Sequence, residues 1–530
     1  MNLGAPDISD YSESNPFVKI ASISAGLFEQ LGYYIDFQAR ESNIYSCRKI
    51  VNARKIAKAN DYRIKCATPA SVLITFVRTG GTGAFTIPSD TICTSTNGIK
   101  FKTVSDLVFD TTQEFGSVSA KQINGTASIV INPSYIGAIP SAFFEVEEPT
   151  TGGKIADGTV GLLVNSIAWD AVETLTYSHF DETHFVQTTN QNGVIRLETG
   201  DGILGAIVPS GVIEASYSLT EGLAGNVGAN TITTTNYIIP SGMGTLALTN
   251  KNVATGGTDF ETLERLKYRI PKLINTKLRA VTKLDYEDVA VLFGGVVNAG
   301  VEFQCSKKIS IYIVPEGGGI ASPSLLSDLE NYLEDKKIIG RSVKAYPAGT
   351  VAIILGIDVT AKSGYSNTIV TNNVTTNLLN FLSYETQKIR GEVQLSDIYE
   401  IVETTDGVRN SKINVMNAHP YARPIGSTTT VLDWSVETLS NSATTNKWKI
   451  RFINSTQYQI FRNNIFIAVQ NVGTAYTIYE ILINIAAAGY VLGDEYEFYT
   501  YNYYGSIQLA EPSVPISQAS DLTINTTGGY

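Results

Sequence analysis

At 530 residues the chain is too long for one core, so two to four domains are expected, and 43% hydrophobic against 17% charged residues gives each a sizeable interior. The net charge of −11 and pI near 5.0 exclude a general nucleic-acid binder, which would be basic. The opening MNLGAPDISDYSESNPF has no basic-then-apolar leader, and no run reaches the ~18 apolar residues of a membrane span; the longest candidate, 481–493, contains Asn484 and reads as a buried strand or helix.

Ile20, Ile23, Leu27, Leu31 and Tyr34 recur at helical spacing and predict a helix over 16–39. A second helix is expected over about 42–59. Between Arg40 and Lys65 stand eight basic residues, Arg48 and Lys55 among them, against Glu41 and Asp61. Such a run is either a solvated face or a surface that docks an acidic neighbour. These residues form an expected N-terminal helical arm, 1–66, separable from the later domains.

From Ala67 the pattern turns to short alternating strands punctuated by Gly, Asn and Ser turns, so 67–255 is expected to be a β-rich domain. At Gly256 the character changes again. Thr258 and Glu261 have capping-box spacing, and a helix carrying Leu263, Leu266 and Ile270 should come next, perturbed by Pro271. Thr282 and Asp285 open another helix in the same way. Strands are expected at about 296–303 and 308–314, a helix behind Ser322-Pro323, a strand at 351–361, and a helix over about 368–383. Ser396 caps a short helix that Gly407 ends before a strand at 408–416. Residues 256–416 thus read as an α/β segment with small open sheets. Residues 417–530 read as a C-terminal all-β domain, Tyr-rich and sandwich-like, with a hairpin at 458–469 and a turn at Gly493-Asp494. The fold class is therefore α+β multidomain. The abundance of Tyr, 28 residues, fits either interfaces or strands.

Few residues invite chemistry. Gly200, Gly202 and Gly205 spell G-x-G-x-x-G, but Pro209, Gly211 and the alternation Val212, Glu214, Ser216 predict turn and strand where a dinucleotide site requires a helix. A tight turn is the expected role. His179 and His184 are spaced five apart, which fits neither helical nor strand ligand pairs, and reads as an ordinary β-edge pair. His419 lies beside Pro420 at a domain boundary. Cys47, Cys66, Cys93 and Cys305 are scattered and read as reduced thiols of a cytoplasmically assembled protein. No P-loop, H-E-x-x-H, EF-hand or G-x-S-x-G sequence is present. Catalytic, cofactor and metal residues are thus expected to be absent, and the chain is not expected to be an enzyme.

Residues 256–296, GGTDFETLERLKYRIPKLINTKLRAVTKLDYEDVAVLFGGV, resemble the baseplate J-like family of contractile phage tails and related injection machines. The resemblance is carried by Gly256, Gly257 and Asp259, by Arg269, Ile270 and Pro271, and by Arg279, Ala280, Val281, Thr282, Asp285, Tyr286 and Glu287. Upstream, Gly200-Asp201-Gly202 and Gly225-Asn226-Val227 are similar to the family's Gly-Asp-Gly turn and Gly-Asn-Val segment, although Thr199 stands where the family often has Phe. In 86–101, Ser89-Asp90 replaces the family's usual Ala-Gly. Residues 17–416 are covered with varying strength, and 417–530 are an addition.

The resemblance implies a structural wedge subunit of a tail baseplate, assembled in the host cytoplasm. It implies pairing with itself in a six-fold ring around the hub and spike, contact with sheath-initiating proteins, and N-terminal helices bundled with other wedge proteins. It implies no cofactor, no nucleic acid and no membrane partner. The ring protein of a bacterial tail-derived injection machine fits the same residues. A virion-associated hydrolase or carbohydrate-binding protein is the reading from another class.

Overall fold

A computed structural model describes residues 15–150, 152–190, 192–303, 307–419, 423–425, 434–438, 446–479, 481–486, 490, 492–500, 506–509 and 512–529. Its plan is α+β and multidomain, with helices first, all-β modules next, an α/β segment, and a further β module near the end.

Helix α1, Pro16–Glu41, starts on an Asn15 cap whose side chain accepts from the Phe17 N–H. The expected second helix is shorter than its pattern: α2 spans Ile50–Ala59, and 42–49 form turns. The reason is Glu41, whose buried carboxylate accepts from the backbone N–H groups of Arg48 and Lys49 and from Asn52 Nδ2, at 3.0, 3.2 and 2.9 Å. That knot uses the N–H groups a longer α2 would need.

The arm also does not end at 66. Ala53 and Ala57 of α2, with Ile44, Cys47, Tyr62 and Ile64, share one core with Leu266, Ile270, Leu273 and Leu292. Only α1 projects without burying its large apolar side chains.

Residues 67–255 hold two β modules, one inserted in the other. The outer is a six-stranded antiparallel sheet in the order Ile232–Thr235, Ile92–Ser95, Lys100–Thr103, Phe115–Gln122, Ser71–Thr79 and Thr245–Thr249. Strand Ser71–Thr79 alternates, and Val72, Ile74 and Phe76 face the core with Phe101 and Phe109. The inserted eight-stranded sheet runs from Gly125–Tyr135 to Gly211–Thr220. It is antiparallel except where Ile167–Ala171 meets His184–Thr189. Its core holds Phe144, Trp169, Phe185 and Tyr217.

Helices α3, Leu263–Thr276, and α4, Lys283–Leu292, lead into a three-stranded sheet of Val296–Phe303, Lys308–Pro315 and Ser342–Pro347, packed by α5, Pro323–Glu334. Ser322 caps α5, accepting from the Leu325 N–H at 3.3 Å. Next, Gly349–Ala361 and Val408–His419 form a ladder covered by α6, Asn367–Phe381, and α7, Leu395–Thr404. Gln394 occupies the α7 N-cap position, with no side-chain cap bond, so Ser396 is not its cap.

The boundary at 417 does not separate independent domains. Strands Ser513–Ile516 and Leu522–Gly528 return to pair in parallel with Gly349–Ala361, and Ser506–Gln508 pairs with Glu392–Gln394. The Tyr-rich β module is therefore an insertion, and the last strands complete the α/β sheet. Long-range parallel pairing leaves no local sequence mark. The inserted module places a five-stranded sheet bearing Trp448, Phe452 and Tyr458 against a three-stranded sheet bearing Ile481, Ile483 and Ile485. Its hairpin at 457–471 turns on Asn463 and Asn464, with φ of 49° and 65°. Of the expected boundary, Pro420 and the IGSTTT stretch at 425–430, Pro420 and residues 426–430 lie outside the described residues.

Candidate functional site

About half of the family-like positions converge on one junction, where the arm, both β modules and the α/β segment meet. Its linker is 254–262. Thr258 forms a two-way bridge with Thr68: the Thr68 N–H donates to Thr258 O at 2.9 Å, and the Thr258 N–H donates to Thr68 O at 3.1 Å. Thr258 is thus not a helix cap. Thr262 caps α3 instead, accepting from the Arg265 N–H at 3.4 Å.

Glu261 is released from the expected capping box because Arg269 needs it. Both side chains are 4% exposed, with Arg269 Nη1 2.6 Å from Glu261 Oε1. Tyr62 Oη donates to the same oxygen at 2.6 Å, and the Lys65 N–H donates to Oε2 at 2.9 Å. Arg269 Nη2 donates to Val296 O at 3.2 Å and lies 3.8 Å from Glu316 Oε1. Arg265 reaches Glu316 at 2.5 Å and Glu385 at 3.2 Å. Burial pushes the Tyr62 hydroxyl well above its ordinary range, and the Glu261 charge adds to that. Burial also raises the Glu316 carboxyl, against the pull of Arg265 and Arg269. Burial opposes the Arg269 charge, but Glu261 and Glu316 more than offset it, so the guanidinium is held charged. A buried charge with good partners fixes one arrangement, and removing a single partner is costly. Pro271 sits inside α3, which continues through it. The burial of Leu266, Ile270 and Leu273 on the same face holds the helix together through the residue expected to perturb it.

Asn226 is the second lock. Its Oδ1 accepts from the Gly257 N–H and its Nδ2 donates to Gly257 O, both at 2.9 Å. Asp259 accepts from the Leu223 N–H at 2.9 Å and pairs with Lys154 at 2.6 Å. Partial burial works against the Asp259 charge, yet Lys154 and the Leu223 N–H hold its carboxyl below the usual range. The glycines here answer to space. A Cβ on Gly257 would lie 2.4 Å from Gly222 O, and one on Gly222, at φ 59°, would lie 2.5 Å from Asp259 Oδ1. Gly256 donates to Glu316 O at 2.9 Å. Gly225, buried, and Val227 complete the turn that carries Asn226.

The remaining family-like residues sit elsewhere. Thr282 and Asp285 form the expected capping box on α4, with the Asp285 N–H donating to Thr282 Oγ1 at 3.2 Å and the Thr282 N–H to Asp285 Oδ2 at 2.8 Å. The latter bond holds the Asp285 carboxyl below its ordinary value. Tyr286 is fully buried, and its Oη accepts from the Ile338 N–H at 3.2 Å. Arg279 is exposed. Gly200-Asp201-Gly202 forms a turn, as its sequence predicts: the Gly202 N–H donates to Gly205 O at 3.0 Å. Asp201 Oδ1 accepts from the Ile203 and Leu204 N–H groups at 2.8 Å each, which lowers its carboxyl.

His184 opens strand His184–Thr189 and bonds Ser178 Oγ at 2.9 Å, whereas His179 bonds Asp181 at 2.6 Å in the preceding loop. The two imidazoles are thus engaged with separate partners. Cys47, Cys66 and Cys93 are buried free thiols, and burial raises the Cys66 thiol to about 12 and that of Cys93 to about 11. Cys305 and the His419 side chain lie outside the described residues. No grouping of three or more metal-capable side chains occurs among the described residues, and no described helix is long and apolar enough to cross a membrane.

A cleft of about 1230 Å³ opens beside the junction, lined by Arg63, Lys65, Asp157, Thr189, Gly256 and Tyr332 among others. Most of its charges are spoken for. Lys58–Glu198, Arg63–Asp157 and Lys121–Asp328 pair at 3.1, 2.9 and 2.6 Å. Lys65 has no ion pair among the described residues, and burial with Arg63 nearby brings its ammonium down to about 8.

Of the expected interface residues, Ile20, Ile23, Leu27 and Leu31 are 54–64% exposed, and Arg48 and Lys55 are exposed as well. The charged junction was not anticipated from the sequence. The available signal was Arg269, a charge set on the same helical face as Leu266, Ile270 and Leu273.

No family model matches the chain, and no curated protein matches it. Among solved structures, it is similar to a chain of the anti-feeding prophage (AFP) baseplate, 6-fold symmetrised, at 10% identity and a TM-score of 0.25, over 69% of this chain and 75% of that one. It is also similar to Xanthomonas campestris FlgL in two crystal forms, at 10% and 12% identity and TM-scores of 0.14 and 0.13. Those matches cover 18% and 17% of this chain and 38% and 30% of the FlgL chains. At these TM-scores the likenesses carry no argument about role.

Proposed function

We propose that this chain is a structural wedge subunit of a contractile-tail baseplate, one of several copies in a six-fold ring around a hub and spike. In this reading it is not an enzyme. The observation that carries it is α1: a 26-residue helix whose Ile20, Ile23, Leu27, Phe28, Leu31 and Tyr34 are all more than half exposed. Such a surface in water calls for partner helices. Its apolar residues occupy more than one side, and Ser22, Glu29 and Asp36, seven apart, mark the polar line left for solvent. The partners are then other wedge proteins that bundle with it, and the location is the tail baseplate. The family-like residues at the junction spend their polar groups on locking modules to one another, which suits a part that transmits force.

The test is mass spectrometry of gradient-purified tail particles, with this chain quantified against sheath and tube subunits. A fixed ratio of one or two copies per wedge is expected. Absence from the particles would overturn the role. Genome neighbours then separate a phage from a bacterial injection machine, since head and terminase genes mark the phage.

A further inference from the structure

One end of the eight-stranded module is an apolar tip made of three segments, two of them loops and one running from a turn through the short strand Ile167–Ala171 into a loop. The 136–141, 165–182 and 200–212 segments are tied together by backbone bonds: Ala138 N–H to Val208 O at 3.2 Å, Ser141 N–H to Gly200 O at 3.0 Å, and Ala206 N–H to Glu182 O at 2.8 Å. Asn165 joins them through its side chain, with Nδ2 donating to Ser210 O at 3.1 Å and Oδ1 accepting from the Val212 N–H at 2.9 Å. This bonded frame displays Ile136, Ile139, Ile167, Tyr177, Phe180 and Ile203, which are 88, 53, 65, 91, 57 and 76% exposed. Large apolar side chains gathered this way on fixed segments mark a contact surface.

The tip has one sign of charge. Its three segments carry Asp170, Glu173, Asp181, Glu182 and Asp201 and contain no Lys or Arg. Glu173 is matched by Lys336, just past the end of α5, at 3.3 Å, and the other four have no Lys or Arg partner among the described residues. The base of the arm has the opposite character. Tyr45 is 70% exposed in the turn between α1 and α2, and Arg48 and Lys55 are exposed without an acidic partner among the described residues.

The two surfaces are distinct patches of one chain. Gly200 leads from strand Ile195–Thr199 into the tip, and at the strand's other end Gly193 stands against the Arg54 guanidinium of α2, with Arg48 in the turn before that helix. Because the patches differ, a contact that joins them between copies is head-to-tail.

We propose that the apolar, acidic tip of one copy docks on the basic base of the arm of a second copy, with Tyr177 and Ile203 against the Tyr45 region and Asp181 and Glu182 facing Arg48 and Lys55. A heterologous contact of this kind generates a ring when its rotation closes and a filament when it does not. The inference deepens the ring reading and rests on it only for closure and copy number.

The experiment is site-specific photo-crosslinking of the full-length chain. Tyr177 is replaced by a benzoylphenylalanine residue, and isotopically light and heavy copies are mixed so that mass spectrometry identifies links between chains. Links are expected within 40–58 of the second copy, falling at least fivefold in yield with R48E/K55E and also in 0.5 M salt. Both substituted positions are exposed, and an unchanged melting midpoint certifies the variant. Links that land elsewhere, an absence of intermolecular links, or a yield unmoved by the charge reversal would overturn the contact. Particle abundance tests the baseplate role separately, so failure of one is not failure of the other.

Discussion

Helices α1 and α3 present similar apolar periodicity and meet opposite fates. In α1, Ile20, Leu27 and Leu31 stand more than half exposed. In α3, Leu266 and Ile270 are fully buried, and Arg269 is drawn in with them. The difference lies in what surrounds each. Helix α3 meets α2, Tyr62 and Ile64 within the same chain, whereas α1 meets no core of its own. An amphipathic pattern says that a face will be covered, not by which molecule.

That contrast can be broken most sharply at the buried charge. Arg269→Ala should cost about 3–5 kcal/mol, because Glu261 would stay buried without its charged partner; the denaturation midpoint of the full chain reads it, and a loss below about 1 kcal/mol would refute the lock. The paired apolar truncations come next. Leu266→Ala should cost about 2–5 kcal/mol, while Leu27→Ala should stay within about 0.5 kcal/mol in the isolated chain and reduce its incorporation into particles. Equal effects on stability would erase the distinction between the helices. Removing residues 1–38 belongs to the same contrast: it should leave the melt unchanged, whereas removing 1–65 strips the α3 core.

A smaller effect separates local from tertiary control. Thr282→Ala should cost about 1 kcal/mol through loss of the α4 cap, and an unchanged midpoint would argue against that cap. A pH-dependent effect is at Lys65, whose ammonium falls to about 8 in the folded chain from about 10.5. A depressed lysine means that folding at pH 7 carries a buried positive charge. That penalty lessens as pH rises from about 8 towards 10.5, where the folded form releases its proton first. Lys65→Met should therefore raise the midpoint at pH 7, with the gain shrinking above pH 8. A gain independent of pH would assign the effect to packing.

Much of the local architecture is legible because short-range chemistry governs it. The Thr282–Asp285 box, the Ser322-Pro323 start, the strands from 296 and 308 and the Asn463-Asn464 turn each depend on residues within a few positions of one another. The Thr258–Glu261 spacing misled for the converse reason. Glu261 has a better partner in Arg269 than in a helix N-terminus, and that partner is visible only once α3 folds back on Tyr62. The 42–49 segment failed because Glu41 captures the N–H groups after it, and Ser396 because α7 starts one residue earlier, at Leu395.

The junction was half legible. Gly225, Asn226, Gly256, Gly257, Asp259 and Arg269 could be singled out in the sequence, but not that they meet in one place, since 31 positions separate Asn226 from Gly257. By itself, the sequence determined the helices, the strand segments, their caps and turns, and the absence of familiar catalytic motifs, because these depend on periodicity and neighbouring side chains. Only the tertiary structure decided that the modules are nested, that the last strands return to the α/β sheet, that Glu261 serves Arg269, and that three separate segments gather into one acidic, apolar tip. Those features rest on contacts between residues far apart in the chain, whose cost in loop closure and burial is offset only when the whole assembly of modules is in place.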